Sequence, residues 1–344
     1  MFGLILPGIM YFYVHFVVEV VSFYFLNSIV GNDYILWLAP FIYDVLAFVP
    51  QILLGAISDR FSRIPFGLIG MLLLVVGLCL MGMNVASPIL LTIIIALGNA
   101  CVHVNGAEVT LRSGRGRITP AAVFVAGGSF GVVTGKLLAG SVPIWPLLLL
   151  VATTIPVIVF AERYRRQTEK IRTPCKQFNF ASRTMAVWLV ALLAAIVVAI
   201  RGYVGYGIPT SWNKTIPQTI LLFSFMGIGK ALGGILTDTI GIRKTACISM
   251  LGAIPFLLYG DNNMVISLIG VMFFSMTMAI TLAVSVSVFP ETPGFAFGVT
   301  TVGLALGSLP FFFFRIDSFV INSIIIVASS FICLAILLTI TRKE

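Results

Sequence analysis

Eight ionisable side chains sit inside long apolar runs of this chain: His15, Glu19, Asp44, His103, Glu108, Lys136, Arg201 and Lys230. A charge at the centre of a bilayer costs about 2.5–3.5 kcal/mol even on the mildest scale, so each must face a partner or water. His15, Glu19, Asp44, His103 and Glu108 are candidates for reversible proton binding. A carboxylic acid withdrawn from water holds its proton more tightly, and an imidazole titrates near neutrality unaided. His15 and Glu19 are four residues apart and share one helical face. Arg201, Lys230 and Lys136 are candidates for gripping an anion, which a guanidinium holds through two parallel bonds. The alternative is that these three bases neutralise the three acids.

A second group of residues marks two short links. The run GAISDRFSR carries Gly55, Asp59, Arg60 and Arg63. Half a chain later GGILTDTIGIRK carries Gly234, Asp238, Gly241 and Arg243. Each lies after the second apolar segment of its half, where so much charge in so short a link belongs at a membrane surface. The recurrence is the sequence form of two parallel repeats.

The elements that position these residues follow from composition. The chain is 59% hydrophobic and 10% charged, with mean hydropathy +1.11. A soluble domain of this length cannot hide that much apolar surface. The apolar runs are continuous rather than alternating, which excludes a β-barrel. Runs of about 20 residues predict twelve transmembrane helices at 4–29, 35–57, 65–83, 88–110, 118–140, 143–161, 184–207, 216–237, 244–260, 262–288, 294–314 and 319–340. The fold class is therefore an all-α integral membrane protein of two pseudo-symmetric six-helix halves, 1–161 and 184–344, joined by a polar central loop at 162–183. Helices 3, 6, 9 and 12 carry none of the eight ionisable residues and are expected to face lipid.

With both termini and the central loop in the cytoplasm, sixteen basic residues fall on the inner side and two, Lys214 and Arg315, on the outer. This is the positive-inside distribution. It accounts for the net charge of +9 without nucleic acid and points to a multi-pass protein of the inner (plasma) membrane. The five cysteines are scattered and form no CxxC, so neither disulfides nor a metal site is read from them. The N-terminus reads as a retained spanning helix, not a cleaved signal. Glycines recur at four-residue spacing at Gly127, Gly131 and Gly135, and at Gly294 and Gly298, then Gly303 and Gly307. Such rows let helix backbones approach closely and are expected where the two halves slide. Ser275, Thr277, Thr281, Ser285 and Ser287 offer hydroxyls on helix 10, although such groups often bond only to their own backbone.

The run GAISDRFSR resembles the loop 2–3 signature of the major facilitator superfamily, GxxxDRxGR followed by a basic residue. Gly55, Asp59, Arg60 and Arg63 match; Ser62 and Ile64 depart. The second copy keeps Gly234, Asp238, Gly241 and Arg243 and has Thr239 where the first arginine stands. The resemblance implies that Asp59 with Arg60 or Arg63 holds a cytoplasmic closure between helices 2–3 and helix 11. HFVVE at 15–19, CVHVNGAEVTLR at 101–112 and IRGYVGYGIPT at 200–210 resemble segments of the fosmidomycin-resistance branch. The last places Tyr203 beside Arg201 as a substrate contact. Glu19 stands where that branch has Asp, Asn105 replaces its Glu or Ala, and Lys136 follows Gly135 where proline is usual.

The function these readings imply is secondary active transport of a small anionic or drug-like solute by alternating access, as proton-coupled efflux. Proton-coupled uptake of an anionic nutrient is the alternative. The implied partners are substrate, protons and the lipid bilayer, with the protein acting as a monomer without cofactor. The chain has no GxxxxGK[ST] for ATP and no HExxH for a metal-dependent enzyme.

Overall fold

The computed structural model describes residues 2–29, 31–61, 63–170, 178–182, 184–208, 212, 214–314, 316 and 318–341. Part of the expected central loop (171–177 and 183), Arg315 and residues 342–344 lie outside the described residues. Among those described there are helices and no strands. They are α1 (Phe2–Ser28), α2 (Asp33–Phe48), α3 (Gln51–Arg60), α4 (Phe66–Met83), α5 (Pro88–Ser113), α6 (Thr119–Leu138), α7 (Ile144–Lys170), α8 (Val187–Gly207), α9 (Ile216–Thr239), α10 (Ile242–Tyr259), α11 (Met264–Ser275), α12 (Thr277–Val288), α13 (Pro293–Phe313) and α14 (Phe319–Ile340).

These make twelve stretches long and apolar enough to cross a membrane, and the protein is a multi-pass membrane protein. Two spans are broken. Pro50 has no N–H to give to Leu46 and its ring crowds that carbonyl, so α2 ends and α3 restarts. Met276 tightens the turn between α11 and α12, its N–H meeting the carbonyls of both Phe273 and Phe274. The sixth span is longer than expected. α7 runs through Lys170, so the first part of the expected central loop is helical.

Helix starts differ systematically between the two ends of the bundle. At the end away from most basic residues, Asn32, Ser87, Asn263 and Ser318 each accept the N–H three residues on, and Thr215 forms a reciprocal capping box with Gln218. At the basic end α6 and α13 begin without any side-chain cap of their own. Their orphan N–H groups are satisfied from elsewhere, as described below.

The glycine rows sort by partner. A β-carbon at Gly127 or Gly131 would lie 2.2 and 2.3 Å from the Phe12 and Phe16 carbonyls of α1. One at Gly307 would lie 2.1 Å from the Ala199 carbonyl of α8. Each of these contacts stays within the first six or the last six spans. The expected sliding surface is therefore corrected for Gly127, Gly131, Gly135, Gly303 and Gly307, which serve fixed packing. Gly294 and Gly298 do face the first six spans, against Gly55 and Ile52 of α3.

Candidate functional site

The basic end is closed by two aspartates that cap helices in trans. Asp59, at the end of α3, accepts the N–H groups of Gly294 (3.0 Å, Oδ1) and Phe295 (2.8 Å, Oδ2) at the start of α13. Asp238, near the end of α9, accepts those of Ile118 (3.0 Å, Oδ1) and Thr119 (2.8 Å, Oδ2) at the start of α6, and the Thr119 hydroxyl at 2.5 Å. Each carboxylate thus supplies the missing cap and meets the positive pole of the helix dipole. The chain can come this close only where glycine stands: a β-carbon at Gly55 would lie 2.2 Å from the Gly294 carbonyl, and one at Gly234 2.3 Å from Ala122.

The arginine expected beside Asp59 is corrected. Its ion-pair partner is Arg112 (3.2 Å), at the end of α5. Arg60 and Arg63 are exposed and form no ion pair among the described residues; Arg60 lies over the Phe61 ring. Arg243 is exposed as well. Arg112 also holds Glu108 (3.1 Å), which pairs with Arg165 (3.6 Å) and takes the Ser58 hydroxyl; Arg165 binds Glu162 at 3.0 Å. Glu108 is therefore a member of a charge network at the basic end.

Deeper in the first six spans, His15, Glu19 and His103 meet. The Nε2 atoms of His15 and His103 stand 3.6 and 3.5 Å from the same atom, Glu19 Oε1. The His15 Nδ1 lies 2.9 Å from the Phe124 carbonyl and the His103 Nδ1 3.0 Å from the Asn99 carbonyl. Carbonyls only accept, so both Nδ1 atoms carry hydrogen. The Asn99 amide nitrogen lies 3.0 Å from Glu19 Oε1 and 2.8 Å from the Tyr43 hydroxyl.

Asp44 occupies a different position. It is buried on α2, with Ser308 of α13 at 2.5 Å from Oδ2 and no ion-pair partner among the described residues. The Ser308 oxygen also lies 2.8 Å from the Ala305 carbonyl. A hydroxyl has one hydrogen to give. Both contacts are hydrogen bonds only when the acid supplies the second. Toward the end opposite the gates, Trp37 and Phe41 of α2 pack on Phe312 and Phe313 of α13, and the Trp37 indole N–H donates to the Phe312 carbonyl at 3.1 Å.

The three bases line one cavity of about 470 Å³. It lies between the first and last six spans, in the half of the bundle away from the gates. Its walls are Phe23, Val132 and Lys136 from α1 and α6, then Arg201, Leu222, Phe223, Met226, Lys230, Val271, Phe274, Ser275, Met278 and Leu304, with Gly202, Gly205 and Ile208. No carboxylate is among the described residues of the wall. Lys230 donates to Ser129 at 2.9 Å. Arg201 lies over the Phe274 ring, and its buried Nε has no hydrogen-bond partner. Lys136 lies over Phe23 and Phe223. No ion pair joins Arg201, Lys230 or Lys136 to Glu19, Asp44 or Glu108 among the described residues, although the Glu19 carboxylate lies near enough to Lys230 to attract it. Tyr203 is half-buried on α8 and is not part of the wall. Below Arg201 the space narrows to about 10 Å³, and Phe124 meets Phe297 across the two sets of spans.

No family model matches the sequence, and no curated protein matches it. Solved structures do. The E. coli fucose:proton symporter FucP superposes with a TM-score of 0.61 over 97% of this chain and 98% of its own, at 14% identity. A second structure of FucP, a major facilitator superfamily transporter in the outward conformation, superposes at 0.56 with the same coverage and identity. The chain has the major facilitator fold. The closure at the basic end and the cavity toward the opposite end are features of this chain within that fold. α4, α7, α10 and α14, the helices expected to face lipid, contribute nothing to the cavity wall.

Sequence reading missed Asn99, Tyr43, Ser308 and Arg112. Asn99 was the most legible, since it sits one turn before His103 and faces the same way. Ser308 had no signal of its own. Of the helix 10 hydroxyls, Ser275 lines the cavity, Thr281 bonds to nearby carbonyls of its own span, and Thr277 bonds to one such carbonyl and to the Ser249 hydroxyl of α10 (3.1 Å).

Proposed function

We propose that the protein is a secondary active transporter that moves a small organic anion with an apolar body by alternating access, coupled to protons. The observation that carries this reading is the charge of the cavity: Lys136, Arg201 and Lys230 share it with phenylalanines and no carboxylate. Arg201 is buried, Lys230 half-buried and Lys136 exposed; buried charges are paired in stable proteins, so a site with three cations and an apolar wall is suited to a ligand that brings the anion. The first half (1–161) and second half (184–344) rock about the cavity as two bodies. Asp59 and Asp238 hold the cytoplasmic gate, with both termini and the central loop on that side of the plasma membrane.

Asp44 is the proton-carrying group of this mechanism. It bridges the halves through Ser308 and has no base beside it, so its surroundings change when the halves part. The chemistry is transport rather than catalysis, by a monomer that uses no cofactor for the transport step. Export is the direction that the resemblance at 15–19 and 101–112 implies. Uptake is favoured by the shared fold of FucP, a proton symporter by name.

The test has two steps. A thermal-shift panel of aromatic carboxylates, dicarboxylates, phosphonates and neutral sugars on purified protein should show stabilisation by anions and none by sugars. Stabilisation by sugars alone overturns the anion reading. In liposomes, the stabilising anion should accumulate under an imposed pH gradient, and the sign of that gradient separates efflux from uptake. Asp44→Asn should retain anion exchange and lose pH-driven accumulation; undiminished accumulation removes Asp44 from the coupling role.

A further inference from the structure

The His15–Glu19–His103 cluster does not behave like a shared hydrogen bond. Both imidazoles spend their Nδ1 hydrogens on backbone carbonyls, so each turns a lone pair on Nε2 toward one carboxylate oxygen. With neutral rings these three buried, electron-rich atoms repel unless a metal cation lies among them; a proton on either Nε2 would instead draw that N–H and the carboxylate to hydrogen-bond distance. The separations of 3.5 and 3.6 Å are longer than the roughly 2.7–3.2 Å of an N–H···O bond. They are close to the edge of a tetrahedron about a transition-metal ion with bonds of about 2.0–2.1 Å, which is about 3.3 Å. All three donor atoms lie within 4.8 Å of one another.

The surroundings supply what such a site needs. Metal-bound histidines are fixed by a hydrogen bond from the other ring nitrogen, commonly to a backbone carbonyl, and both rings have one. Asn99 adds an independent observation. Its Oδ1 is buried without a hydrogen-bond partner, while its Nδ2 approaches three acceptors, Glu19, Tyr43 and Ser22, with two hydrogens to give. Turning the amide over lets the Tyr43 and Ser22 hydroxyls donate to Oδ1 and moves the NH₂ to the position of the unpartnered oxygen. That oxygen then stands beside Glu19 Oε1 as a fourth donor, a contact that also requires a cation.

We propose that His15, Glu19 and His103, with Asn99 Oδ1 as a fourth ligand, form a binding site for a divalent transition-metal ion of the Zn²⁺ type. Two imidazoles and one carboxylate select such ions over Mg²⁺ or Ca²⁺, which prefer all-oxygen sites. The donors come from α1 and α5 alone, so the ion staples two helices within the first half and is independent of the transport reading.

The full-length protein, purified with its affinity tag removed and stripped with EDTA, is loaded with Zn²⁺ and desalted. Elemental analysis should give one zinc per chain and thermal unfolding a higher melting temperature. Co²⁺ in its place should give the intense visible absorption of a four-coordinate site. His15→Gln/His103→Gln should lose both signals while remaining monodisperse. Should that variant fail to fold, the Co²⁺ spectrum of the unaltered protein decides by itself. Absence of retained zinc, a six-coordinate aquo-type Co²⁺ spectrum, or unchanged zinc in the folded double variant overturns the proposal. None of these results touches the anion or Asp44 tests.

Discussion

Replacing Asp59 by Asn should open the basic end. The parent carboxylate has two acceptor oxygens, one on the Gly294 N–H at 3.0 Å and one on the Phe295 N–H at 2.8 Å, with Arg112 at 3.2 Å from the first. The amide keeps one acceptor and turns an NH₂ toward the other N–H, and it loses the charge that attracts Arg112. A hydrogen bond to a charged group contributes about 1.5–3 kcal/mol net of water. A loss of about 2 kcal/mol shifts the closed-to-open ratio by roughly 30-fold. Asp238→Asn should cost a similar amount, and because the two gates share no partner, the double variant should approach the sum. They differ in salt response. Asp59 works with a guanidinium that is 26% exposed, whereas the contacts described for Asp238 are with N–H and hydroxyl groups, so ionic strength should weaken the first gate more. The assay is a spin-label distance between Arg63→Cys and Arg243→Cys, both exposed at the basic end, in a background without native cysteines. The single variant should add a longer-distance population and the double variant should make it dominant. Distributions that superimpose on the parent for all three would refute trans-capping as the closing force.

Arg201→Gln and Lys230→Gln should each raise the apparent KM for the transported anion by one to two orders of magnitude, as expected for about 1.5–3 kcal/mol of charged hydrogen bonding. The same variants should hold or raise the melting temperature, because removing a buried cation without a carboxylate partner relieves a cost; a large fall in melting temperature would instead mark them as structural. A cysteine at position 214 should react with an impermeant reagent on intact cells, and one at position 63 only after permeabilisation; the reverse pattern refutes the orientation. Gly127→Ala, whose β-carbon would meet Phe12 within the first half, should lower thermal stability. Gly298→Ala, which would meet Ile52 across the halves, should lengthen the basic-end distance instead. Equal effects of the two on both readouts would remove the distinction between fixed and moving contacts.

The fold was legible because its signals are local. Long apolar runs and two charged links need no knowledge of neighbours, and the aspartate positions could be read from spacing; the break at Pro50, inside the expected helix 35–57, was missed. The partners of those residues could not. Asp59 lies one residue from Arg60, but its cation is Arg112, on another helix, since α3 directs Arg60 outward over Phe61 while the end of α5 passes beside the carboxylate. The four-residue glycine rows announced close approach without saying to which helix, and most turned out to face their own half. His15 and Glu19 were paired by helical spacing, yet the third member, His103, joins only through the packing of α1 on α5. The equality of acids and bases was visible as a count and misleading as a pairing. Glu108 has its partners near the basic end, Glu19 has its own within α1 and α5, Asp44 meets Ser308 of α13, and the bases remain around the cavity.

That separation has a consequence for how the proposed cycle is controlled. With the cavity empty, Lys136, Arg201 and Lys230 depend on water for solvation, and Arg201 already has a buried nitrogen without a partner. Closing the cavity at the end away from the gates expels that water, and moving unpaired charges into a dry interior costs several kcal/mol per ion. An empty cavity should therefore resist occlusion. A bound anion replaces the lost water with a partner for the guanidinium and the ammonium groups, and its apolar part covers Phe23, Phe223 and Phe274. Occlusion then becomes conditional on loading, which is the requirement for coupled transport without leak. The seam of α2 and α3 on α13 is already closed at both ends, by Trp37 and Phe41 on Phe312 and Phe313 and by Asp59 on Gly294. In the proposed cycle the remaining movement falls to α1, α6, α8 and α9, the last three of which carry the cations. The charge that recognises the substrate thus sits on the elements that must close over it.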